Sequence, residues 1–167
     1  MVTNGEITKG ISTLYDTINQ IIEEARAAVY RTANITMVRA YWHIGRVIVE
    51  DEQKGKERAE YGKQVLKQLS QKLTKKHGRG FDESNLRHMR NFYLVYPKCD
   101  ALRPELSWTH YRLLLKVGNE QARLFYMQET IDCNWSTRTL ERQIGNLYYE
   151  RMLMLSLIHI SEPTRSS

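Results

Sequence analysis

Three observations predict an all-α fold. Apolar residues recur at helical spacing along almost the whole chain, strand-type alternation is scarce, and only three prolines and nine glycines interrupt 167 residues. The length and a 41% hydrophobic content suit one globular domain with a buried core. No apolar run approaches the ~18 residues of a membrane span, and no charged-then-apolar leader opens the chain. Cys99 and Cys133 lack metal spacing, and the five histidines form no HxxxH cluster. The expectation is a cytoplasmic protein in a reducing compartment, with two inert thiols, no metal, no cofactor and no membrane partner.

The elements follow in order. Leu14, Ile18, Ile21, Ile22, Ala25 and Val29 mark one stripe of a long first helix. Asn34 is read as the N-cap of a second, whose stripe is Val38, Tyr41, Trp42, Gly45, Ile48 and Val49. The pair is expected to form a long antiparallel hairpin, with Gly45 permitting close helix approach rather than marking a break. Three later helices share one start signal: Phe81-Asp82 with Leu86, Leu106-Ser107 with Tyr111, and Trp135-Ser136 with Leu140. In each, a capping oxygen can satisfy orphan backbone donors, while the apolar residue before the cap and the one four residues after it fix the entry angle. A further helix is expected after Gly118-Asn119, turning Ala122, Phe125 and Tyr126 inward. Pro97 to Pro104 is the best linker candidate.

The positive charge is concentrated. Residues 56–98 carry eleven Lys or Arg against four Asp or Glu, whereas the flanking segments are close to neutral. Such a surplus is the electrostatic footprint of a polyanion-binding face; the competing reading is a solvated, lysine-rich helix surface. With Gly62 to Lys76 as a helix, Val65, Leu66, Leu69 and Leu73 fall within an arc of roughly 100°. Lys63, Lys67 and Lys75 lie opposite, with Lys72 at the edge. His77-Gly78-Arg79-Gly80 then ends the helix. In the next one Leu86, Met89, Phe92, Tyr93 and Tyr96 share the buried face, while Arg87, Arg90 and Asn91 project away and Leu94 lies on the outward side. Arg and Asn suit guanine and adenine edges in the major groove, and both also bind phosphate. The arrangement is helix-turn-helix-like, with a connection of about six residues against the usual ~3–4.

The run from Ala40 to Tyr93, followed by LSWTHYRLLLKV and NWSTRTLERQIGNLYYERM, resembles the N-terminal domain of YhcG-type bacterial proteins. The likeness spans roughly Leu14 to Met152. It implies a helical, DNA-binding domain serving a nuclease module of the PD-(D/E)xK superfamily, and that module is not found in the present sequence. Glu52-Gln53-Lys54 formally fits D/E-x-K, but it closes a helical pattern and runs into Gly55, so it reads as a charged helix terminus rather than a metal-dependent catalytic strand. No Ser, His or Cys triad has a supporting context. The domain expected is residues 1–153, and it is expected to be non-enzymatic by itself.

Residues 154–167 are read as a non-native tail, because LSLIHISEPTR looks like a translated sequencing adapter; the competing reading is a genuine apolar segment that docks on a partner or the core. DNA is the expected partner. Phosphate contacts are assigned to Lys63, Lys67, Lys75, Lys76 and Arg79, and groove or backbone contacts to Arg87, Arg90 and Asn91. The alternative function is protein interaction or homodimerisation with a solvated basic face, for which tyrosine and tryptophan are favourable residue types. RNA binding ranks third, with Trp108, Tyr111, Tyr148 and Tyr149 as candidate stacking rings.

Overall fold

The computed structural model describes residues 3–54 and 59–161. The start of the basic segment, 56–58, and the end of the tail, 162–167, lie outside the described residues. Among those described there are seven α-helices and no strand: α1 (Asn4–Lys54), α2 (Ala59–His77), α3 (Glu83–Val95), α4 (Trp108–Leu114), α5 (Glu120–Asp132), α6 (Thr137–Gly145) and α7 (Tyr148–Ser161). The all-α expectation holds. No helix among them is long and apolar enough to cross a membrane.

The expected N-terminal hairpin is not formed. α1 runs unbroken through Asn34 for 51 residues, about 75 Å at 1.5 Å per residue. From Tyr30 to Val38 the chain contains neither glycine nor proline, so nothing local favours a reversal. The hydroxyls of Thr32 and Thr36 instead bond back to the carbonyls of Ala28 and Thr32, which keeps these side chains satisfied inside the helix. Asn34 is an exposed helical residue, not a cap.

The three later cap assignments are realised, and Asn119 caps the helix expected after Gly118-Asn119. Asp82, Ser107, Asn119 and Ser136 have extended backbones, and each side chain accepts from the amide three residues on. At Ser107 the cap extends further. The Ser107 amide donates to His110 Nδ1 at 3.1 Å, which leaves the Nε2 hydrogen to reach the Trp135 carbonyl at 2.9 Å. One imidazole thereby ties the start of α4 to the turn before α6. The Pro97–Pro104 segment is packed rather than loose: it holds a 3-10 turn at Cys99–Ala101, Leu102 is buried, and the Arg103 amide donates to the Tyr111 hydroxyl at 2.7 Å.

The larger core joins the middle of α1 to α3–α6 through Val38, Trp42, Phe92, Tyr111, Tyr126 and Leu140. A smaller one, of Ile48, Leu66, Leu86 and Met89, holds α2 against α1 and α3. Each such side chain, fully buried, contributes about 1.5–3 kcal/mol. Two features seat α3 on α1. Trp42 Nε1 donates to the Tyr96 carbonyl across 2.6 Å of buried space. A Cβ on Gly45 would overlap the Met89 carbonyl, so glycine is required there, as its position on the apolar face suggests.

Two regions stay outside the core. Every residue from Thr3 to Asn34 is exposed, and so is every residue from Glu150 to Ser161.

Candidate nucleic-acid interface

The candidate interface is built on α2, the five residues after it, and α3. Leu66 and Ser70 are buried, and Val65, Leu69 and Leu73 half-buried, so α2 presents Lys63, Lys67, Lys72, Lys75 and Lys76 to solvent. Gly78 and Gly80 adopt φ of +80° and +106°, conformations that let the chain reverse within five residues and that L side chains avoid. Arg79 stands exposed between them. α3 then buries Leu86, Met89 and Phe92, leaving Arg87, Asn91 and Leu94 outward.

Four of the eight residues assigned from sequence converge. Lys63 and Lys67 from α2, with Arg87 and Arg90 from α3, line one cleft of about 450 Å³. Glu52 and Glu83 line it too, so it is cationic without being exclusively so. The other four do not join it. Lys75 and Lys76 occupy the last turn of α2, where cations also complement the partial negative charge of a helix C-terminus. Arg79 and Asn91 are not among the residues lining the cleft.

Arg90 departs from its expected outward placement. Its Nε meets Glu52 Oε2 at 2.6 Å, and the side chain is only 39% exposed. The pair joins α3 to the last turn of α1, and the Glu52-Gln53-Lys54 tripeptide is helical. A guanidinium has four further N–H donors beyond Nε, so the pairing leaves Arg90 able to bind an anion. Arg87 is bonded to Glu83 at 3.0 Å, one turn away on an exposed surface, a contact worth little in water.

Sequence reading missed the opposite flank of α3. His88 is half-buried and held below its ordinary pKa, first by burial and then by the positive charges of Arg112 and Lys116. Those two residues come from α4 and the turn that follows it, so cations border α3 on both sides. Nothing near residue 112 signals this, because only the tertiary fold brings α4 alongside α3.

The rings proposed for RNA stacking are occupied otherwise. Tyr111 is fully buried, and its hydroxyl is pushed up to about 12 by desolvation. Trp108 packs on Phe92 and Tyr41, and Tyr148 and Tyr149 pack on Phe125. Tyr111 is thereby withdrawn from solvent, and the other three rings are half-buried in these contacts. The Cys133 thiol is raised above its usual pKa, first by desolvation and then by Glu129, which disfavours the reactive thiolate.

Residues 17–151 match the family model described as the DUF1016 N-terminal domain. The chain is also 37% identical, over 179 aligned positions covering 88% of its length, to the Escherichia coli (strain K12) protein named "Putative nuclease YhcG". The match takes in 48% of that protein, so the chain spans about half the length of this relative. No solved structure matches.

Proposed function

Because the chain belongs to the DUF1016 N-terminal domain family, we propose that it is a DNA-binding module, non-catalytic by itself, which delivers DNA to nuclease chemistry carried elsewhere. The observation that carries this reading is the convergence of Lys63, Lys67, Arg87 and Arg90 on the cleft between α2 and α3. In it, α2 lies along the phosphate backbone while α3 offers Arg87 and Asn91 to a groove, in the manner of a helix-turn-helix. Lys75, Lys76 and Arg79 extend the phosphate contacts beyond one end of the cleft, and Arg112 and Lys116 border α3 on its far side. The relative's name supports the nuclease context and nothing finer.

The test is anisotropy of labelled duplex, branched and single-stranded DNA titrated with the protein across a salt series. The expected log–log slope is about −0.9 for each phosphate neutralised on duplex DNA. Lys63→Glu with Lys67→Glu should weaken binding to all sequences alike and flatten that slope by about two phosphates. Wild-type affinity in that variant would mean the face is misassigned. The second reading, a protein-interaction module, is favoured by the engagement of Arg87 and Arg90 with Glu83 and Glu52. A folded protein that binds no DNA even at low salt would decide for it.

A further inference from the structure

We propose that residues 18–35 of α1 pair antiparallel with the same residues of a second copy, in the register that sets Glu24 of one chain against Arg31 of the other. This inference does not depend on DNA binding.

The face needs a partner from outside the domain. Ile11, Leu14, Ile18 and Ile21 are 62%, 60%, 47% and 60% exposed, although they form one continuous stripe. At 100° per residue that stripe points roughly 145° away from the buried side of the same helix, Val38 to Val49. The helices packed on α1 therefore cannot fold over it while α1 stays straight.

The spacing is that of a helix pairing with another helix. From Ile7 to Ile35, alternating steps of four and three residues meet only isoleucine, leucine, alanine and threonine. This is the a/d pattern of a coiled coil, held for four heptads. Ile22 and Val29 flank it on one side, at e positions. Glu24 and Arg31 flank it on the other, at g positions.

The flanking charges choose the orientation and the register. In a parallel pair, g positions face e positions of the partner, so Glu24 would meet Val29 and Arg31 would meet Thr36, with no ionic contact. In an antiparallel pair, g faces g and e faces e. One register then places Glu24 against Arg31 twice by symmetry, with Ile22 against Val29 on the opposite flank. Its central layers are Ala25 against Ala28, small enough for close helix approach, with Ile21 against Thr32 and then Ile18 against Ile35 outside them, so Ile18 and Ile21 are the exposed isoleucines that this register covers. Shifting by one heptad either way sets Glu24 against Glu24 or Arg31 against Arg31. Opposite charges at such positions set partner choice and orientation, and like charges oppose pairing.

Sedimentation equilibrium of the full chain over a range of concentrations tests the proposal. The wild type should show a dimer in mass action with monomer. Ile18→Asp should abolish it, and since Ile18 is exposed in the monomer, circular dichroism should stay close to wild type. Glu24→Arg alone and Arg31→Glu alone should each weaken the dimer about tenfold, because both symmetric pairs become repulsive. The double exchange E24R/R31E should restore it. A monomer at all concentrations would overturn the proposal, and so would a dimer indifferent to Ile18→Asp, such as one made by the exposed apolar side chains of α7. A double exchange as weak as the single ones would overturn the register.

Discussion

Up to Asn34, α1 exposes every residue, isoleucines and leucines included, whereas from Val38 to Val49 one of its faces is buried against α3. Both halves have apolar residues at helical spacing, and both are helical. Periodicity thus reports that a helix has an apolar side, but not whether its own chain supplies the cover. The difference lies in what stands opposite. Gly45 lets the Met89 backbone come into contact, and Trp42 reaches the Tyr96 carbonyl, so the second half is locked by shape and by a buried hydrogen bond. The first half has neither. Its glycines, Gly5 and Gly10, have nothing within 4 Å of where a Cβ would stand.

The largest effect that would break this contrast is at Gly45. Gly45→Ala puts a methyl group into the Met89 carbonyl, and backbone cannot swing aside as a side chain can. Loss of about 3 kcal/mol is expected, the upper end for overpacking, despite the better helix propensity of alanine. Urea unfolding followed by tryptophan fluorescence would measure it; a neutral result would mean that α1 and α3 are less closely seated. The matching change in the exposed half, Gly10→Ala, should do the opposite. With open space around it, only propensity acts, and local helix stability should rise by up to about 1 kcal/mol. Slower amide exchange around residues 6–14, with unchanged global unfolding, is the expected signature.

The same contrast explains what could be read from sequence. Asp82, Ser107 and Ser136 were legible as caps because a cap is a contact across three residues, and the chain spells out both partners. The close approach at Gly45 was legible too, from a glycine on an apolar face. The hairpin at Asn34 was misread because a stripe that changes sides resembles two helices. For the site, the segregation of the α2 lysines follows from spacing alone. The Arg90–Glu52 pair spans 38 residues and unites two helices, and Arg112 and Lys116 reach α3 through the fold, so neither could be inferred from local pattern.

The smallest expected effect concerns acid, which should separate the two halves by pH. His88 has a folded-state pKa below its ordinary ~6.5, so the unfolded chain binds more protons over the interval between the two values. Its contribution to stability is whole above pH ~6.5 and is lost as pH falls through the depressed value. Protonation there adds a charge beside Arg112 and Lys116, and the loss should fall on the α3–α4 body. In the exposed half the titrating group is Glu6, whose carboxylate accepts from the amide and hydroxyl of Thr3 and is held below its ordinary value, chiefly by the amide. That contact at the start of α1 persists until pH falls below the usual carboxylate range, near 4. Titrating from pH 7 to pH 3 should therefore lower the melting temperature first, with the amides around Glu6 keeping their protection until the more acidic step. His88→Gln should remove the first step and leave the second. If both steps persist in that variant, the acid sensitivity of the body lies in another group, and the charges flanking α3 are not coupled to its stability.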